Sequence, residues 1–138
     1  MNKAYKYRIY PTCAQEVLIN KTFGCVRFVY NQMLANRKEL YEKYKEDKAT
    51  LKQQKYKLPA DYKKDYEWLA EVDSLALSNA QLNLQVAYKN FFRNKGIGFP
   101  KFKSKHRDRK SYSTFGVSSV IILALAGTSQ EALTSSKC

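Results

Sequence analysis

The amino-acid sequence predicts a mainly α-helical protein: a small helical bundle flanked by an N-terminal strand and a partial β segment. Two observations predict the helices. Apolar residues recur at spacings of three and four over two long stretches, and capping signals precede the helical patterns. A third observation, strict alternation near the N-terminus, predicts the strand. With 138 residues, 44% of them hydrophobic, the chain can bury one modest core.

The first elements follow from alternation and capping. Tyrosine and isoleucine alternate with Lys and Arg over residues 4–10, which predicts a short, half-buried strand that ends at Pro11. Thr12 and Gln15 have the spacing of a capping box, so a first helix should begin there. We expect this helix to stop near Gly24.

A second helix is expected over residues 25–44. Its predicted buried stripe, with Tyr30 at the edge, consists of Val26, Val29, Met33, Leu40 and Tyr44. Two helices joined by a tight glycine turn suggest a helix-turn-helix, although most such pairs are packed hairpins that read no groove. Residues 45–66 are polar and predict a helix end or short helix followed by an exposed connection.

The third long helix has the clearest pattern. A hydrophobic clip of Tyr66, Trp68, Leu69 and Val72 precedes it, and Asp73 or Ser74 should cap it. Its predicted core stripe is Leu77, Ala80, Leu84, Ala87 and Phe91. Polar and basic residues flank that stripe: Ser78, Gln81, Gln85, Lys89 and Arg93. This pattern fits the solvated side of any helix, and also a helix that lies along nucleic acid.

Charge is concentrated after this helix. The net charge is +13, and residues 89–110 alone hold nine Lys and Arg against Asp108. Glycines 96 and 98 should end the helix, and a run of cations with aromatic residues at both ends follows: Lys101, Lys103, Lys105, Arg107, Arg109 and Lys110. Such a run can pair with phosphates while the rings stack on bases. The alternative is a flexible basic tail that binds any polyanion weakly.

Other sequence features limit the classes of function that we expect. No C-x-x-C pair is present, which predicts no zinc site, and the sequence indicates no other cofactor or small-molecule substrate. The N-terminus lacks the apolar stretch of a secretory signal, and residues 120–126 are too short to span a membrane. We therefore expect a cytoplasmic protein with no membrane partner. Composition changes abruptly after Thr114, where Lys and Arg vanish until Lys137.

Several motifs occur in a specific order. They are KAYKYRIYP (3–11), TFGCVRFVYN (22–31), YEWL (66–69), SLAL (74–77), NFF (90–92) and GFPKFKSK (98–105). Together they resemble the N-terminal third of the OrfB/TnpB transposon proteins, compact RNA-guided nucleases related to type V CRISPR effectors. The resemblance covers residues 2–113.

The resemblance implies a domain plan and a ligand. Residues 1–97 would form the strand and a helix-turn-helix or recognition region, residues 98–113 the start of a wedge-type β segment, and residues 114–138 a tail foreign to the family. In the family these parts cradle guide RNA and its heteroduplex and touch a motif beside the target. The implied nucleic-acid-binding residues are Tyr30, Ser78, Gln81, Gln85, Lys89, Arg93, Lys101, Lys103, Lys105, Arg107, Arg109 and Lys110.

The sequence departs from the family where the chemistry would be. The family cuts DNA with three metal-binding acids in a RuvC-like domain and carries a zinc ribbon, both downstream of the matched region. Residues 114–138 contain one acid, Glu131, and one cysteine, Cys138. We therefore predict no catalytic residues, no metal and no enzyme activity: a truncated protein that binds guide-like RNA, DNA or both. Two alternatives stay open, a decayed product without a selected role and a nuclease completed in trans.

Overall fold

The computed structural model describes residues 8–108 and 110–113, and within them the regular structure is helical. Two compact units divide the described chain after Asn20, and we treat each by itself. The elements in order are α1 (Cys13–Tyr44), α2 (Lys48–Gln53), α3 (Pro59–Asp65), a 3-10 helix (Glu67–Glu71), α4 (Ser74–Arg93) and a second 3-10 helix (Lys95–Ile97).

Residues 8–20 contain the start of α1. The predicted capping box is confirmed: the Thr12 N–H donates to Gln15 Oε1 at 3.0 Å, and the Gln15 N–H donates to Thr12 Oγ1 at 3.5 Å. The predicted N-terminal strand is wrong for the residues that the structure describes, because residues 8–10 form no strand. A strand needs a neighbour to pair its N–H and C=O groups, and alternation alone supplies none. The remainder of the predicted strand, residues 4–7, lies outside the described residues.

The expected pair of helices is a single one. Helix α1 runs 32 residues without a break, so the predicted turn at Gly24 is wrong. Gly24 lacks the positive φ with which glycine ends a helix. A glycine inside a helix costs about 1 kcal/mol relative to alanine. The neighbouring Thr22, Cys25 and Val26 are buried, and their burial offsets that cost.

The polar region after α1 contains two short helices. Asp47 caps α2, since its Oδ1 accepts the N–H groups of Ala49 and Thr50 at 3.1 Å each. Helix α3 begins at Pro59, whose fixed φ suits a first helical position. The chain then passes through the first 3-10 helix, and its Leu69 is fully buried. The predicted short helix corresponds to α2, whereas α3, with its buried Tyr62, lies where we expected an exposed connection. Of the predicted clip, Leu69 and Val72 are buried, but Tyr66 and Trp68 are exposed.

A single core joins α1, α3, the first 3-10 helix and α4. Its fully buried large side chains are Val29, Leu34, Leu69, Leu77 and Leu84. Asp73 caps α4, because its Oδ1 accepts the Leu75 N–H at 3.0 Å. Of the predicted α4 stripe, Leu77, Ala80 and Leu84 are buried, whereas Ala87 and Phe91 are only partly covered.

The predicted wedge-type β segment is also corrected. The described residues between 98 and 113 form bends and turns without a strand. Pro100 removes one backbone donor, and the backbone of Lys103 pairs with the side chain of Asn31 on α1 rather than with another strand. The alternating basic residues belong to an irregular segment that is docked on α1 through Lys103.

Candidate nucleic-acid interface

The first candidate surface is the polar side of α4. Helical spacing places the predicted flank beside the positions that α4 buries, and all its members are exposed except the half-buried Gln81. We call this set the α4 ribbon: Ser78, Gln81, Gln85, Lys89 and Arg93. The Ser78 hydroxyl donates to the Ser74 carbonyl at 3.1 Å. The ribbon is therefore polar at its start and cationic at its end.

Gly98 reverses the chain beyond α4. Its φ of 86° lies in the left-handed region, which a residue with a side chain rarely adopts. The turn allows Phe99 to contact the last turns of α4, where its ring centroid lies 5.5 Å from that of Tyr88 and 5.4 Å from that of Phe91, both edge-on. Pro100 is buried next to it. The basic run after Gly98 is thus held near the cationic end of the α4 ribbon.

Asn31 fixes the basic run to α1. Its Nδ2 donates to the Lys103 carbonyl at 2.9 Å, and its Oδ1 accepts the Lys103 N–H at 2.8 Å. The amide side chain therefore takes the place of a backbone peptide in a β pair and satisfies both polar groups of one residue. This contact joins positions that are 72 residues apart in sequence.

Lys103 differs from the other cations of the run. Its Nζ lies 4.5 Å from the centroid of the Tyr30 ring, a cation–π contact. Burial lowers the pKa of Lys103, and the negative charge of Asp108 partly opposes that shift. Tyr30 itself is only 5% exposed and belongs to the core. Both were predicted to contact nucleic acid, and the structure places them against each other.

The remaining cations of the run point to solvent. Lys101, Lys105, Arg107 and Lys110 are exposed, and Arg109 lies outside the described residues. The run's one acid, Asp108, closes a turn with Ser104: its carboxylate accepts the Ser104 N–H, and its own N–H donates to the Ser104 carbonyl at 3.3 Å.

Helix α1 supplies two further cations that the sequence reasoning missed. Lys38 Nζ lies 5.2 Å from the Phe99 ring centroid and 4.6 Å from that of Phe102. The Arg37 guanidinium lies 4.8 Å from the Tyr56 ring and 4.9 Å from the Tyr88 ring. The only sequence signal for Asn31 was its place at the end of the motif at 22–31, because a polar residue beside an apolar stripe is usually solvated. Lys38 and Arg37 had no distinct signal.

The chain is similar to a known domain family and to several known proteins. A helix-turn-helix domain model of the OrfB type matches residues 1–46. A Streptomyces pristinaespiralis protein named as an RNA-guided DNA endonuclease is 37% identical over 113 residues, which are 80% of this chain and 27% of that protein. InsQ of Escherichia coli K12, also named as an RNA-guided DNA endonuclease, is 31% identical over 103 residues, which are 75% of this chain and 25% of InsQ.

A third relative is matched over nearly its whole length. Virulence protein VsdF of Salmonella dublin is 40% identical over 114 residues, which are 77% of this chain and 96% of VsdF. The chain belongs to the OrfB/TnpB transposase family. Its match to the two endonuclease relatives of that family spans about a quarter of their length.

Over residues 8–108 and 110–113, no group of three or more His, Cys, Asp or Glu side chains could hold a metal ion. In the same part of the chain, no helix is both long and apolar enough to cross a membrane.

Proposed function

We propose that this chain binds nucleic acid by gripping phosphates with the exposed cations after Gly98 and with the cationic end of the α4 ribbon. Guide-like RNA is the first ligand to test, because the relatives from Streptomyces and Escherichia coli are named for RNA-guided endonucleases. Duplex DNA is the second. The observation that carries the proposal is the docking of the basic run on α1 through Asn31.

Docking matters because it distinguishes a binding surface from a tail. A free basic tail loses conformational entropy when it binds, whereas a segment that is already fixed loses less. The Asn31 amide, the Lys103 contact with Tyr30 and the packing of Phe99 against α4 hold the backbone of this segment. Lys101 and Lys105, on either side of Lys103, are left free to meet phosphates.

The charge pattern supports the same ligand. No acidic residue occurs between Asp73 and Asp108, although this stretch contains seven Lys and Arg. The turn with Ser104 engages Asp108 itself. The positive field over α4 and the following segment attracts a polyanion and repels positively charged partners.

The salt dependence of binding tests this proposal. Replacing Lys101, Lys105, Arg107 and Lys110 together by Gln should flatten the log–log salt slope for single-stranded RNA by about 3, at roughly 0.7 per phosphate. Affinity should fall to a similar degree for unrelated sequences, because phosphate contacts carry no base information.

A matched control comes from the acidic middle of the chain. Lys48, Lys52, Lys55 and Lys64 are equally exposed but lie in a stretch, residues 46–88, where seven acids outnumber six basic residues. Changing these four to Gln should leave the slope within about one unit of wild type. Equal slopes for both quadruple variants would show that the basic run takes no part in binding.

We propose further that binding occurs without cleavage by this polypeptide. The support is the extent of the match, a quarter of each endonuclease relative, together with a tail whose single acid is Glu131. A metal-dependent nuclease requires several carboxylates around its ions. Incubation of the chain with magnesium or manganese, RNA and DNA should release no fragments; cleavage that persists through repurification would favour a nuclease. A chain that binds neither ligand would favour a decayed product.

A further inference from the structure

Beside the cationic segment lies a group of exposed aromatic rings that the proposed function does not use. Phe92 is 71% exposed, Phe102 45% and Phe99 41%. We call these three residues the aromatic platform. Apolar side chains of this size are normally covered, and a contiguous exposed group marks a binding surface.

The platform is held together before any ligand arrives. Phe92 stacks on Tyr88, with ring centroids 6.2 Å apart and an interplanar angle of 24°, and it contacts the adjacent Phe91 at 5.4 Å. Phe99 meets Tyr88 and Phe91 edge-on. Lys38 Nζ lies within 5.2 Å of both the Phe99 and the Phe102 ring centroids, so one ammonium contacts both rings.

The charges around the platform decide what can cover it. Exposed cations precede, interrupt and follow its rings in sequence: Lys89, Arg93, Lys95 and Lys101. A second copy of the chain would bring its own net charge of +13 against the same rim, which disfavours self-association. A ligand that suits both features has flat apolar faces joined by regularly spaced anions.

We propose that the aromatic platform stacks the unpaired bases of a single-stranded nucleic acid while the surrounding cations contact its phosphates. Base faces are accessible only in a single strand, because a duplex stacks each base between its neighbours. The platform therefore confers a preference for single-stranded over double-stranded ligand. This inference rests on the proposed function and adds a contact that depends on bases rather than phosphates.

Two substitutions at Phe92 separate stacking from apolar contact. Phe92→Leu keeps an apolar side chain but removes the ring, and it should weaken binding of a short single-stranded RNA about 5- to 10-fold. Phe92→Trp keeps a ring and should retain wild-type affinity. Leu75→Ala serves as a control, because Leu75 is also exposed on α4 but lies about 25 Å along the helix, at 1.5 Å per residue. The control should change no affinity.

The experiment also varies the ligand, because stacking requires unpaired bases. On a strand of the same length that carries abasic sites, wild type and Phe92→Leu should bind equally, and on a duplex the two should differ less than twofold. The salt slope of Phe92→Leu should equal that of wild type, because no phosphate contact is lost. Equal affinities on the intact single strand, or an equal loss on the duplex, would overturn the proposal. So would a wild-type dimer in sedimentation that Phe92→Leu converts to a monomer.

The outcomes also separate this proposal from the previous one. If the quadruple Gln variant of the basic run loses slope while Phe92→Leu binds normally, the phosphate surface stands and the platform fails. If Phe92→Leu shows a base-dependent loss while the Gln variant keeps its slope, the platform stands and the phosphate role fails.

Discussion

Helix α4 has two parts of nearly equal length, residues 74–84 and residues 85–93, which we call its first and second halves and which differ in burial. In the first half, Ala76, Leu77, Ala80 and Leu84 are buried and form the centre of the core. In the second half, the apolar residues Val86 and Phe92 are exposed, and every charged residue is a cation. One helix therefore supplies stability at its start and a surface at its end.

This difference explains why the segment after Gly98 lies against the end of α4. No residue of the second half of α4 is fully buried, and Phe99 packs on its Tyr88 and Phe91 after the chain reverses at Gly98. The basic run is thereby placed beside α1, where Asn31 holds it. The turn at Gly98 therefore has two consequences. It lets Phe99 pack on the end of α4, and it exposes the cations that follow.

The largest effect that separates the two halves should come from Leu84→Ala. Leu84 is fully buried, so the substitution removes apolar contacts and leaves a cavity, at a cost of about 2–5 kcal/mol. We expect the melting temperature to fall by roughly 10 °C or more. Val86→Ala in the second half, at a side chain that is 54% exposed, should cost about 0.5 kcal/mol or less. Similar losses from the two variants in thermal denaturation would contradict the division of α4.

A second test uses the alkaline stability of the core that the first half of α4 shares with Tyr62 of α3. Burial, the main cause, raises the pKa of Tyr62 to about 12, with smaller contributions from Asp65, Tyr66 and Asp61. Between pH 10 and pH 12 the unfolded chain loses this proton and the folded chain keeps it, so the free energy of unfolding should fall as pH rises. Tyr62→Phe should remove about 1–3 kcal/mol of that fall. Urea titrations at several pH values would measure it, and an unchanged pH dependence would mean that Tyr62 is solvated.

The sequence predicted the elements that depend on local chemistry. The Thr12–Gln15 capping box, the Asp73 cap and the start of the α4 stripe follow from side-chain types at fixed spacings, and the structure contains them. The strands failed because pairing depends on a partner, which alternation along one segment does not reveal. The turn at Gly24 failed because burial of the neighbouring residues outweighed the low helix propensity of glycine.

The candidate site was predictable in composition but not in geometry. The spacing of the α4 ribbon and the density of cations after Gly98 were visible in the sequence. The contact between Asn31 and Lys103 spans 72 residues, and no local pattern indicates which polar residue will bind which backbone. For the same reason the sequence grouped Lys103 and Tyr30 with the exposed residues, whereas in the structure they pack together.

Lys103 therefore offers a test within the basic run itself. Lys105→Gln should flatten the salt slope for single-stranded RNA by about 0.7, because an exposed cation is lost. Lys103→Gln should change the slope by less than half of that, since its ammonium lies over Tyr30. Comparing the slopes of the two single variants, each against wild type in the same buffers, decides the point. If Lys103→Gln has the larger effect, Lys103 leaves Tyr30 to meet a phosphate when the ligand binds.

The smallest expected effect tests whether α1 is one helix or two. Gly24 has a helical backbone, and no atom outside its immediate surroundings lies within 4 Å of the position that a Cβ would occupy. Gly24→Ala should therefore stabilise the protein by about 0.5–1 kcal/mol, because alanine has the higher helix propensity and a smaller unfolded-state entropy. Gly98→Ala is the opposite case, because its φ of 86° would strain any side chain, and it should destabilise by about 1 kcal/mol or more. If Gly24→Ala destabilises the protein as Gly98→Ala does, Gly24 forms a turn with positive φ, and the helix-turn-helix geometry predicted from the sequence replaces the continuous helix.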